Sequence, residues 1–280
     1  MEISILITAI LLACTCALLG SFLIHSKQAM MADAISHAVL PGIVIAYLIS
    51  NSRGSVFALL GAAACGILIT LLVNWLKTKA KMSNDSAIGL MYTSLFALGV
   101  FLITRFTQSV DLDQECVLFG DIAYVPLDRW YVLDTDLGPR ALYICSALLL
   151  FVSIILRMGY RNLSLFCFNP EFAQSIGISI AFWNLYLLGA VSITTVMSFE
   201  LVGAILIIAL LILPASAGYL LSKKLKTNIL LAIIFSIVSC IVGYAVALQF
   251  NLNIAACVAS VAACIFFISF LLSLRQKTML

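Results

Sequence analysis

Apolar runs close to twenty residues long, separated by short polar or charged clusters, fill most of this chain. A helix rises about 1.5 Å per residue, so about 20 residues cross the roughly 30 Å hydrocarbon core of a bilayer. The breaks in the pattern predict nine membrane-spanning helices, at about 3–24, 29–50, 54–76, 86–104, 141–156, 179–198, 201–221, 228–248 and 252–273. A membrane β-barrel would instead show ten-residue segments of alternating polarity. The tightest junction falls at Phe199-Glu200, where two spans meet almost without a loop. The stretch from Ser179 to Leu221 is too long for one crossing and suits two; eight spans are expected if the first pair packs irregularly.

Composition agrees with the pattern. Hydrophobic residues make up 64% of the chain and charged residues 10%, against about 25% charged in an ordinary soluble domain. In lipid every backbone polar group must be satisfied internally, which leaves an all-α polytopic fold. The sequence is read as one transmembrane domain over residues 1–280. The placement of charge then orients it. Eleven basic residues (Lys27, Lys77, Lys79, Lys81, Arg157, Arg161, Lys223, Lys224, Lys226, Arg275 and Lys277) fall on one side, and Arg53, Arg105, Arg129 and Arg140 on the other. The basic side is expected to be cytosolic, with the N-terminus outside and the C-terminus inside. Glu2 before the first apolar run and Lys27 after it favour a retained helix over a cleaved signal.

Two segments between spans stand out. Residues 105–140 form the longest external stretch and carry seven acids: Asp111, Asp113, Glu115, Asp121, Asp128, Asp134 and Asp136. Such a surface docks a partner or attracts cations, or is a solvated loop. Within it, residues 116–124 are apolar enough to dip into the membrane surface or pack on the bundle. The second segment runs from Arg157 to Ile178. Its Asn169-Pro170-Glu171 reads as a helix start, with Asn as N-cap, Pro in the first turn and an acid at the positive dipole end. Gly177 is the expected stop. A two-turn helix outside the bilayer suits transmission of force to another subunit, although many membrane proteins carry such helices without that role.

Chemistry concentrates in the second span. Asp33 and His37, four residues apart, share one helix face. Counting helical rise from Lys27 puts His37 about 15 Å deep, near the bilayer centre, where an Asp costs about 2.5–3.5 kcal/mol to insert. Pro41, next on that face, has no N–H for the carbonyl of His37 and leaves an acceptor free. Three readings follow: a site for a divalent cation, a structural Asp–His hydrogen bond, and a proton relay. Two ligands are few for a transition metal, whereas a symmetric pair of subunits would supply two carboxylates and two imidazoles, a set suited to manganese, zinc or ferrous iron.

Other features are read more plainly. His25 is expected at the membrane interface, Asp85 as the N-cap of the fourth span, and Pro214 as a kink within the seventh. The single cysteines inside apolar runs are small buried side chains, and no Cys-x-x-Cys pair suggests zinc or redox chemistry. Without a Walker loop, a nucleophile elbow or a nucleic-acid-binding stripe, the chain reads as no enzyme and no nucleic-acid binder.

The motif Asp33-Ala34-Ile35-Ser36-His37-Ala38-Val39-Leu40-Pro41-Gly42 resembles the signature of permease subunits in manganese, zinc and iron ABC importers. Three more stretches are similar to that family in the same order: Asp85 to Gly89, Phe168 to Gly177, and Val202-Gly203 through Leu213-Pro214-Ala215. The resemblance implies a bacterial cytoplasmic-membrane permease that works as a dimer, with two cytosolic ATP-binding subunits and an extracellular or periplasmic metal-binding protein. It implies that Asp33 and His37 line the metal path and that Asn169, Pro170, Glu171 and Gly177 belong to a coupling helix seated on the ATPase. Asp136-Leu137-Gly138-Pro139-Arg140 is similar to one of two paralogous permease types, so the dimer partner is identical or paralogous. No cofactor is expected to be bound permanently; the metal is cargo. The alternative function is a proton-coupled secondary metal transporter, with Asp33 and His37 as its relay.

Overall fold

The computed structural model describes residues 2–50, 55–106, 122–132, 135–222 and 224–278. Among them, nine helices are long and apolar enough to cross a membrane. They are α1 (Glu2–His25), α2 (Met30–Ser50), α3 (Ser55–Lys79), α4 (Asn84–Phe106), α5 (Arg140–Phe168), α7 (Ile180–Val202), α8 (Ala204–Leu221), α9 (Leu225–Phe250) and α10 (Ile254–Thr278). The short α6 (Pro170–Ser175) joins α5 to α7. The predicted all-α polytopic architecture is therefore observed, with nine candidate spans among the described residues.

The helices sort into two packed groups. In one, α1 lies against α5, α8 and α9, and α10 closes on α8 and α9. In the other, α2 packs between α3 and α4. Helix α7 touches α2, α3 and α5 and so links the groups. The core runs along α1, where Leu12, Leu19, Phe22 and Leu23 are buried. Helix α4 contributes least, burying only Ala87, Ile88 and Gly99.

Polar side chains within the spans mostly bond to their own helix. Thr8, Thr15, Ser21, Ser36, Thr70 and Ser236 each donate to the carbonyl four residues earlier. That satisfies each hydroxyl without a partner helix, which matters where no water competes. The cysteines among the described residues are all free, and five of them are buried.

Four local readings are refined. Helix α5 does not end near Arg157; it continues unbroken to Phe168, 29 residues in all. At about 1.5 Å per residue it is longer than the hydrocarbon core is thick, so the segment outside the bilayer begins on a helical overhang. The α7–α8 junction is a single residue, Gly203, at φ 83° and ψ 158°. That conformation is essentially glycine-only, and it reverses the chain where Phe199-Glu200 was expected to do so. Ser83, not Asp85, caps α4, since its Oγ accepts from the Ser86 N–H at 3.3 Å. Asp85 sits in the first turn instead. His25 is buried at 8% exposure, with Nδ1 at 2.7 Å from the Ser21 carbonyl and its ring against Phe168 and Tyr219. It joins the ends of α1, α5 and α8 as a packed side chain.

Between α4 and α5, residues 122–124 form one 3-10 turn and Arg129–Val132 pairs antiparallel with Thr135–Pro139 as the hairpin β1–β2. Ile122, in the apolar stretch 116–124, and the following Val125 are buried against the bundle, the second of the two alternatives for the end of that stretch. Asp111, Asp113, Glu115, Asp121 and Asp134 lie outside the described residues, as does most of the apolar stretch 116–124.

Candidate functional site

Helix α2 begins only at Met30, because Lys27 takes a left-handed conformation (φ 57°) that ends α1. Helical rise toward the site therefore starts three residues later than Lys27. This places His37 about 10 Å along the helix from Met30, and Asp33 in its first turn. Asp33 also sits at the positive end of the α2 dipole, which favours a carboxylate there.

One face of α2 is buried through Ala34, Ile35, Ser36, Ala38 and Val39, and Pro41, expected on the face of Asp33 and His37, is buried with them. Asp33 and His37 are on the other side. The His37 Nε2 and the Asp33 Oδ1 are 3.5 Å apart, with side chains 37% and 40% exposed. That distance exceeds the 2.7–3.2 Å of a good N–H···O bond, so the two groups converge without being locked to each other. Among the described residues no group of three His, Cys, Asp or Glu side chains could hold a metal ion. The described residues thus present two donors on an open flank and no third beside them.

Helix α4 forms the wall beside them. The His37 ring lies 5.7 Å from the Tyr92 ring at 34° and 5.5 Å from the Phe96 ring at 82°. Tyr92 and Phe96 are four residues apart and share one face of α4. Farther along, Gly99 is backed by Pro41: a Cβ on it would come within 2.9 Å of the proline Cδ. The aromatic pair was not singled out from the sequence. Its only signal there is an i, i+4 spacing, which lipid-facing aromatics share.

The second candidate segment is built as its residues suggest. The Asn169 side chain accepts from the Phe172 N–H at 3.0 Å, Pro170 opens α6, and Glu171 lies exposed in the first turn. At the other end the Ile178 N–H reaches the Ala173 carbonyl and the Gly177 N–H that of Gln174. With Gly177 at φ 85°, this is a Schellman closure. Phe168, Phe172 and Ile176 around α6 are exposed apolar side chains. The structure keeps Asp33 and His37 together and holds Asn169 to Gly177 as a separate unit at the lysine-bearing end.

Nine helices long and apolar enough to span a membrane among the described residues, with a carboxylate–imidazole pair open on one flank, fit a membrane transport component. The model of the ABC 3 transport family matches residues 2–273. The manganese transport system membrane protein MntD of Bacillus subtilis is 37% identical over 97% of this chain and 92% of its own length. The zinc transport system membrane protein TroD of Treponema pallidum is 34% identical over 98% of this chain and 74% of its own. Among solved structures, PsaBC from Streptococcus pneumoniae in complex with a Fab matches with a TM-score of 0.74 and 29% identity, covering 95% of this chain and 89% of that one. The chain belongs to the ABC 3 transport family and is a multi-pass membrane permease.

Proposed function

We propose that this chain is the permease subunit of a bacterial ABC importer that moves a divalent transition metal into the cytoplasm. The carrying observation is the Asp33–His37 pair: two hard-to-intermediate ligands, 3.5 Å apart, half-open on α2 and without a third ligand beside them among the described residues. A second permease subunit, identical or paralogous, facing this flank would complete a mixed oxygen and nitrogen set. That set suits manganese, zinc and ferrous iron. The manganese and zinc systems of the relatives support the cargo class. The lysine-bearing end faces the cytosol, with the N-terminus outside, in the bacterial cytoplasmic membrane.

Mechanistically, an external or periplasmic metal-binding protein delivers the cation to the outer mouth. ATP-driven movement of cytosolic subunits enters through α6, whose exposed Phe172 and Ile176 provide an apolar seat. The α5 overhang carries that movement into the bundle as a rigid lever. The ion passes Asp33 and His37, whose loose geometry binds it weakly enough for release.

The test is uptake of manganese, zinc and ferrous iron by cells carrying the whole importer, with wild type, Asp33→Ala and His37→Ala at matched membrane levels. Loss of uptake of the transported metal in both variants, with the ATPase still assembled, is the expected result. Unchanged uptake in both would remove the pair from the metal path.

A further inference from the structure

A cavity of about 410 Å³ opens at the lysine-bearing end, between the last turn of α3, the α1–α2 link, α6 and the start of α7. It is unrelated to Asp33 and His37, neither of which lines it. Its one charged lining residue is Lys77, with no carboxylate beside it. Lys77 is partly buried and forms no ion pair among the described residues.

Two further features aim at the same space. Helix α7 starts here, capped by Ser179, whose Oγ accepts from the Phe182 N–H. The N–H groups of Ile180 and Ala181, in that first turn, have no intrahelical acceptor, and both residues line the cavity. The start of a long helix is a favourable place for an anion. Independently, Asn184 is only 9% exposed, lines the cavity one turn deeper, and has an Oδ1 without a hydrogen-bond partner. A buried carboxamide oxygen left unpaired costs free energy. It calls for a donor from whatever fills the space.

We propose that this cavity binds a phosphate group that also carries a hydroxyl donor, held by Lys77 and the α7 N-terminus and read by Asn184. A glycerol-phosphate lipid headgroup and free hydrogen phosphate share that chemistry. The ammonium and the two N–H groups take the phosphate oxygens, and the ligand hydroxyl donates to the Asn184 Oδ1. Gln174 of α6 also lines the cavity, so the bound group bridges α3 and the segment proposed above to meet the ATPase. That last consequence rests on the proposed function; binding itself does not.

The full-length chain, purified in detergent and stripped of lipid, tests the assignment. Its thermal midpoint is followed against short-chain phosphatidylglycerol, phosphatidylcholine (a phosphate ester with no hydroxyl donor in its headgroup) and inorganic phosphate. A saturable rise with phosphatidylglycerol identifies the lipid headgroup, and one with inorganic phosphate alone identifies the free ion; either supports the site. Lys77→Gln should weaken the apparent affinity by about tenfold, the scale of a charge-assisted bond. Asn184→Leu should weaken it as well, and Lys79→Gln, outside the cavity, should leave it unchanged. If Lys77→Gln does not fold, Asn184→Leu and Gln174→Ala carry the comparison. The proposal is overturned by no response to either phosphate source or by an equal response to phosphatidylcholine. It is equally overturned by full affinity in the cavity variants or by the same loss in Lys79→Gln.

Discussion

Gly42 of α2 and Gly61 of α3 meet backbone to backbone: a Cβ on either would run into the carbonyl oxygen of the other. No larger residue fits this crossing, and it lies little more than one turn beyond His37. The contact sets how α2 is rotated, and hence that Asp33 and His37 look outward while Ala38 and Val39 look in.

Gly42→Ala should therefore force the two helices apart. Overpacking of this kind costs about 1–3 kcal/mol. The expected outcome is a lowered thermal midpoint for the detergent-solubilised chain together with reduced metal uptake at matched membrane levels. Gly189→Ala is the control, because a Cβ there meets nothing within 4 Å. It should leave both readings near wild type, and an equal loss in the two variants would show that the crossing is not special.

The aromatic wall predicts a subtler effect. Tyr92 and Phe96 hold the His37 ring at centroid distances of 5.7 and 5.5 Å. Phe96→Leu keeps an apolar side chain but removes the edge-on ring contact, which is worth about 0.5–1.5 kcal/mol. Translated to affinity, that is about a 2- to 10-fold rise in the metal concentration for half-maximal uptake. Maximal uptake should change little, because neither ligand is lost. Uptake that falls at saturating metal, with the half-maximal concentration unmoved, would place Phe96 in packing alone.

Much of this was legible in the chain itself. The spans follow from runs of apolar residues, and the Asp33–His37 pair follows from helical spacing plus the cost of a carboxylate in lipid. What stayed hidden has physical causes. Arg157 and Arg161 interrupt the hydropathy of α5 but not its hydrogen-bond ladder, so the overhang to Phe168 could not be read from polarity. That Lys27, an ordinary side chain, adopts φ 57° and ends α1 could not be read from residue type. The cavity at Lys77 is assembled from residues as far apart as Gln28 and Asn184, and only tertiary packing brings them together.

Tyr186 predicts a change in stability without a change in transport. Its hydroxyl donates to the Ile155 carbonyl at 3.0 Å, tying α7 to α5. Tyr186→Phe keeps the ring beside Trp183 and removes one hydrogen bond, a loss of about 0.5–1.5 kcal/mol. Equilibrium unfolding in detergent should register that difference while metal uptake remains at the wild-type rate. A transport defect without loss of stability would instead assign the α5–α7 seam a moving part in the cycle.

The end of α6 separates stability from coupling most cleanly. At Gly177 a Cβ would touch nothing within 4 Å, yet φ is 85°, so Gly177→Ala is penalised by backbone conformation alone. The left-handed region costs an L-residue about 1–2 kcal/mol. Relaxing that strain would open the Schellman closure and turn α6 relative to α7. Asn169→Ala removes the cap at the other end, at about 1 kcal/mol, but leaves that closure intact. If α6 seats the ATPase, Gly177→Ala should insert normally in the membrane, retain less of its ATPase partner on purification, and lose ATP-driven uptake more than Asn169→Ala does. Equal, small losses in both variants, with the ATPase fully retained, would make α6 a simple linker and move the search for the coupling surface to the exposed end of α5.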